Sequence, residues 1–270
     1  PLFMSILNDL RAPQVLNSDE SLYSFVNRRF GREVATFLID PLARGVFAGN
    51  ARDLSIKSLG KTLHDWEQQF GGIIKGALAT SFKKADTDEV LENSLVMKAR
   101  QEKWSAWSLK GGIENLTISL EKHLLAEGVQ IRKGVRVDKL EMSDRGGINV
   151  HHDGEVSHSN HVISCLPCNQ LSPIISGVSE DIKTLLDYIP YVTVGVVNLE
   201  FESGDLIKEP AFGYLIPSTE PSKVLGVIYD TFTFPQGNKT ILTVMIGGYW
   251  FESLFGQNPS HEELLNAALE

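Results

Sequence analysis

Apolar residues recur at helical spacing through the first 80 positions, whereas from about position 176 they alternate or run in short β-branched stretches. Ser18 and Asp19 can cap a helix whose apolar face is Leu22, Phe25, Val26 and Phe30, with Gly31 as its stop. Val34, Phe37 and Leu38 begin a second short helix that Pro41 ends or bends. Ser55 starts a third, with Ile56, Leu59, Leu63, Trp66 and Phe70 on one side and Gly71 and Gly72 interrupting it. The apolar run IIKGALATSF, followed by Lys83 and Lys84, fits a membrane-surface contact with lysines at the headgroups, or a helix packed on another domain. Residues 83–103 are charged and weakly periodic, as in a mobile connection.

The chain is organised around residues 104–137. Gly111 and Gly112 precede a helix with Ile113, Leu116, Leu120 and Leu124 as one buried stripe, and Glu114 sits where the helix dipole favours an anion. Gly128 ends it, and the alternating runs VQI and VRV read as strands. INVHH and HVISC continue as a β-meander, with DRGG and DGE as turns. After the capped helix SEDIKTLLDYI, PYVTVGVVNLEFE, AFGYLIP, VLGVIYD and TILTVMIGGYW make one antiparallel sheet. Phe212, Leu215, Ile228 and Met245 are available to line an apolar wall of that sheet, or are its core; the pattern does not separate the two.

Composition removes several classes of function. At 270 residues the chain holds one large domain or two modest ones. Its longest apolar runs, such as residues 191–199, fall far short of the roughly 20 residues a membrane span needs. A net charge of -9 with scattered lysines and arginines offers no field for nucleic acid. His151, His152, His158 and His161 lie near the only cysteines, Cys165 and Cys168, but lack the spacing of a four-ligand zinc site, and no metal is assigned. Cys165-Leu166-Pro167-Cys168 matches a redox C-x-x-C only in form, because its surroundings read as meander rather than the start of a helix. In PLARGVFAGN, Arg44 and Gly45 hold a charge at the edge of an apolar surface, which a snorkelling surface arginine also explains. The opening at Pro1 and the unfinished helical pattern of HEELLNAALE read as the ends of a fragment.

Taken together, WSAWSLKGGIENL, PLARGVFAGN, ARDLSIKS, HVISCLP, VVNLEFE, FGYLIPS, VLGVIYD and TVMIGGYW make the chain resemble the oxygen-dependent protoporphyrinogen oxidases, closest to the mitochondrial form of animals, within the flavin amine oxidase superfamily. The resemblance implies a mixed α/β (α+β) fold in three parts. Residues 1–78 would be a helical membrane-binding and substrate-contacting region, 79–175 the middle of a split FAD-binding domain, and 176–270 an antiparallel-sheet substrate domain. It implies FAD as cofactor, protoporphyrinogen IX as substrate, O2 as acceptor giving hydrogen peroxide, and a homodimer lying monotopically on the mitochondrial inner membrane. Val137 matches a valine whose backbone meets the adenine of FAD, and Gly45 a glycine whose carbonyl faces the pyrrole N–H groups, flanked by Leu42 and Arg44. Phe212, Gly213, Leu215, Ile228 and Met245 match positions that shape the tetrapyrrole pocket. No motif sets a histidine or carboxylate as general acid or base, so no catalytic side chain is named. The family's pyrophosphate-binding GxGxxG and its propionate-binding arginine fall before Pro1, so the polypeptide alone is expected to hold FAD weakly and to be inactive. The competing readings are a flavin amine oxidase acting on an amine or a carotenoid, a non-catalytic membrane-associated binding module, and a dithiol redox protein built on CLPC.

Overall fold

The computed structural model describes residues 2–16, 18–81, 94–104 and 107–270. Lys83, Lys84 and most of the connection expected at 83–103 lie outside these. The chain forms two compact units, one joining the segments 1–84 and 192–270 and the other comprising 85–191. The first and last segments of the chain thus share one unit.

In the first unit, α1 spans Leu2–Arg11 and α2 spans Leu22–Phe30. The N-cap of α2 is Ser21, whose hydroxyl accepts the Ser24 N–H at 3.1 Å; Asp19 instead accepts the Ser55 hydroxyl at 2.8 Å. Gly31 ends α2 at φ +93°. Helical backbone then runs through α3 (Arg32–Val34), a π-turn (Ala35–Ile39) and α4 (Asp40–Phe47). Pro41 neither ends nor breaks this course. The π-turn, closed by the Asp40 N–H on the Ala35 carbonyl, widens the helix just ahead of the residue that has no N–H to donate.

Ser55 caps α5 (Ile56–Leu59), and Gly60 divides what spacing reads as one helix into α5 and α6 (Lys61–Phe70). α7 spans Ile73–Ser81. Leu22, Phe25, Val26, Ala43, Ala51, Ile56 and Ile73 form the helical core, with Leu63 and Trp66 packed on it. Beside it lies a buried ionic cluster. Arg29 donates Nε to Glu67 Oε1 at 3.1 Å and Nη1 to the Asp9 carbonyl at 3.2 Å, while Asp9 accepts the first N–H groups of α7, from Ile73 at 3.2 Å and Ile74 at 2.8 Å.

In the second unit, Ser94–Gln101 forms α8, a helix where the sequence suggests only a connection. α9 spans Glu114–Ala126, entered through Gly111 and Gly112 and left through Gly128, all three at positive φ. Its helical spacing is as expected, but the stripe is not buried: Ile113, Leu116, Leu120 and Leu124 are 42–56% exposed. The meander consists of β1 (Val137–Met142), β2 (Ile148–His152) and β3 (Glu155–Ser159), antiparallel in that order. VQI, the Val135–Arg136 part of VRV, and HVISC are not strands: among the described residues none of them pairs with a neighbouring segment. Cys168–Leu171 forms the short helix α10, so Cys168 does begin a helix; a 3-10 turn (Ser172–Ile174) and α11 (Glu180–Asp187) follow.

The chain then returns to the first unit as β4 (Thr193–Phe201), β5 (Gly213–Leu215), β6 (Val224–Ile228), α12 (Asp230–Thr233), β7 (Thr240–Gly248), α13 (Phe251–Phe255) and α14 (His261–Leu269). The antiparallel sheet has the order β4-β7-β6-β5. One face carries Val197, Leu199, Val227, Val244 and Ile246, covered by Leu264 and Ala267 of α14. The other face forms the candidate site.

Candidate functional site on the open face of the sheet

Strand alternation sends Val227 and Val244 into the core and their neighbours to the opposite face. Two cross-strand rows result there. Leu215 pairs Gly226, which pairs Met245, which pairs Val196; two residues along, Gly213 pairs Ile228, then Thr243, then Asn198. The expected Gly213, Leu215, Ile228 and Met245 are thus adjacent on one surface. None is fully buried: Ile228 and Met245 are half-buried and Leu215 is 36% exposed. Phe212 lies outside β5 and is 72% exposed, its carbonyl accepting the Tyr229 N–H at 2.9 Å.

α4 closes one side of this face. A Cβ on Gly45 would overlap Leu215 Cδ2 and come within 3.3 Å of the Leu225 carbonyl, so the glycine lets α4 lie against the sheet without displacing the Leu215 side chain. Leu42, one turn earlier, is 39% exposed. Arg44 departs from both sequence-based alternatives. It is only 4% exposed, with its guanidinium turned into the fold, donating to the carbonyls of Ile216, Pro217 (2.8 Å) and Ser222 and stacking over Trp250 at 5.1 Å. Burial lowers its pKa, and nearby Asp40 partly offsets that. Asp40 in turn accepts the Ser218 N–H and hydroxyl. Arg44 therefore fastens α4 to the loop after β5, which fixes Gly45 against Leu215.

The sequence reading missed a polar group at the end of this face. Asp230 continues the alternation of Gly226 and Ile228 past β6, and its Oδ2 accepts the Thr243 hydroxyl at 2.6 Å. Thr243 Oγ1 also lies 2.9 Å from Asn198 Oδ1. The signal was present, since Thr243 stands two residues before Met245 and so shares its face.

In the second unit Val137 lines an open groove of about 750 Å³ with Val135, Arg136, Val162, Ile163 and Cys165 among its walls. Among the described residues no hydrogen bond engages the main chain of Val162, Ile163 or Cys165. Apolar walls with free backbone groups suit a flat heteroaromatic ring read through main-chain contacts, as the adenine of FAD would be. His151 is bonded to Glu141 and His152 to Ser157, both at 2.8 Å, so these neighbouring histidines serve the meander.

Residues 2–270 match the family model described as flavin containing amine oxidoreductase. The chain belongs to the flavin-containing amine oxidoreductases. Within this family it is 37% identical to the protoporphyrinogen oxidases of Bos taurus and Homo sapiens, over 94% of its own length and 53% of theirs. It is 29% identical to the mitochondrial protoporphyrinogen oxidase of Nicotiana tabacum, over 87% of its length and 50% of the relative's. The chain spans about half the length of the curated relatives it matches. In fold it is similar to a proposed protoporphyrinogen oxidase from Exiguobacterium sp., with a TM-score of 0.73 and 17% identity over 99% of this chain and 53% of that one. Reduced UDP-galactopyranose mutase also shares the fold, with a TM-score of 0.61 and 13% identity over 98% of this chain and 54% of that one. The flavin oxidoreductases thus combine a mixed helix and antiparallel-sheet architecture with a flavin cofactor, as the sequence leads one to expect.

Proposed function

We propose that the protein oxidises protoporphyrinogen IX to protoporphyrin IX with FAD as cofactor and O2 as acceptor, yielding hydrogen peroxide. The observation that carries this reading is the open sheet face, where Leu215, Ile228 and Met245 offer a flat apolar surface bounded by Gly45. A tetrapyrrole buries large ring faces, and such a surface suits it. The kinship with animal protoporphyrinogen oxidases supports the same substrate.

FAD, when bound, supplies a hydride acceptor for the bridging carbons of the macrocycle. This chain's contribution is placement. Val137 would hold the adenine through its main chain, while Leu42, Gly45, Phe212, Gly213, Leu215, Ile228 and Met245 hold and orient the macrocycle and exclude water from its faces. Arg44 acts behind them by fixing α4. Among the described residues no helix is long and apolar enough to cross a membrane. The exposed Phe37, Leu38, Val46 and Leu78 of the first unit support lodging on a membrane surface, for which the reading takes the mitochondrial inner membrane; the mitochondrial tobacco relative supports the organelle. A homodimer is part of the same reading.

The test uses the full-length flavoprotein with protoporphyrinogen IX in air. Fluorescent porphyrin should appear with about three peroxides per macrocycle, because six electrons leave in pairs. A flavin-loaded protein that leaves the tetrapyrrole reduced beyond its spontaneous oxidation would sink the proposal.

A further inference from the structure

Asp230 has no place in the function derived so far. Its carboxylate is half-buried at the end of the open face, one alternation beyond Ile228. Among the described residues it has no cationic partner, although other carboxylates on this sheet do, as Glu200 has Lys239. Only Oδ2 is engaged, by Thr243; Oδ1 accepts nothing.

The Thr243 hydroxyl carries one proton and faces Asp230 Oδ2 at 2.6 Å and Asn198 Oδ1 at 2.9 Å. With the Asn198 oxygen toward Thr243, one hydroxyl proton faces two acceptors; with the amide turned, Asn198 Nδ2 donates to the hydroxyl and Thr243 still donates to Asp230 Oδ2. In either orientation Asp230 Oδ1, at the end of the apolar wall, has no protein donor among the described residues. Asp230 Oδ1 is open to solvent, and a ligand N–H that replaces its water makes a charge-assisted hydrogen bond there.

We propose that Asp230 is a substrate-binding residue that accepts hydrogen bonds from the N–H groups of a flat, apolar, N–H-bearing ligand on the open face, with Thr243 as the residue that positions its carboxylate. The inference rests on the tetrapyrrole reading, since a reduced tetrapyrrole carries four inward N–H groups within an apolar disc. Ile228, Thr243 and Met245 lie within two rows of the same surface, roughly 7 Å apart along the strands, so a ligand seated on the apolar row reaches the acceptors. Gly45 and Asp230 then contact the ligand from different elements.

The experiment compares the full-length flavoprotein with its Asp230→Asn, Thr243→Val and Thr243→Ser variants. Asp230→Asn keeps the shape and an oxygen for Thr243 but removes the charge. It should lower kcat/KM for protoporphyrinogen IX by roughly 10- to 100-fold, with flavin content and Tm unchanged. Thr243→Val should lower it by several-fold, and Thr243→Ser should restore it. Equal kcat/KM in wild type and Asp230→Asn overturns the inference while leaving the function standing. So does loss of flavin or a fall in Tm that accounts for the lost turnover, because Asp230 is then structural. A wild-type protein that does not oxidise the tetrapyrrole removes the functional reading, and this inference with it.

Discussion

Arg29 is fully buried, and what keeps it there decides the strength of the helical core. Glu67 is its main counter-charge and also binds Arg28 at 2.9 Å. Replacing Glu67 with alanine strands a buried guanidinium and should cost about 3–5 kcal/mol, read as a loss of Tm and of denaturation midpoint. Burial raises the Glu67 pKa, but the hydrogen bonds from Arg28, Arg29 and the Val15 N–H outweigh it and leave the pKa below its ordinary value. Its contribution to stability is therefore complete above the unfolded carboxyl's pKa of about 4.3 and is lost as pH falls through the lower folded value. The stability gap between wild type and Glu67→Gln should be constant near neutrality and narrow below about pH 4. A gap that widens in acid would contradict this. Gly213 is equally constrained. Its φ is +147°, and a Cβ there would overlap the Val227 carbonyl, so Gly213→Ala should detach β5 from β6 and destabilise by roughly 1–3 kcal/mol. Gly45→Ala meets chiefly a methyl of Leu215, which can move. It should reshape the wall with little change in Tm, raising KM for the tetrapyrrole.

At the scale of elements, α9 carries the clearest consequence. Its apolar stripe is uncovered among the described residues, so the isolated 270-residue chain should bind a hydrophobic dye strongly. Leu120→Lys with Leu124→Lys should reduce that signal while leaving helix content by circular dichroism intact. Unchanged dye binding would place the exposed apolar surface elsewhere. Periodicity revealed what a single element decides for itself: the helical faces of α2 and α9, and the alternation that makes four strands and puts Leu215, Ile228 and Met245 on one surface. It did not reveal what a distant partner decides. HVISC alternates like β2, yet only β2 has neighbours to bond. Arg44 reads as a charge beside apolar residues, but the direction of its guanidinium is set by carbonyls 172 to 178 residues away. Asp230 is the last residue of the expected strand VLGVIYD; only the register with Thr243 brings it to the site. Pro41 reads as a stop because a π-turn leaves no trace in apolar spacing.

For the molecule as a whole, the two units differ in how the chain supplies them. Residues 85–191 are contiguous, whereas the other unit needs both flanking segments. Both hydrophobic clusters among the described residues lie in the two-segment unit, so calorimetry should resolve its transition from a weaker one of residues 85–191, and Glu67→Ala should lower only the former. A single transition shifted as a whole would show the units to be coupled. The bonds from Arg44 to residues 216–222 carry this further, into the time order of synthesis. α4 leaves the ribosome long before the carbonyls that hold it exist. At about 5–20 residues per second, the gap of some 170 residues lasts roughly 10–35 s. During that interval residues 85–191 are synthesised in full, while the Arg44 guanidinium waits without its carbonyl partners, leaving α4 a prospective client for a chaperone.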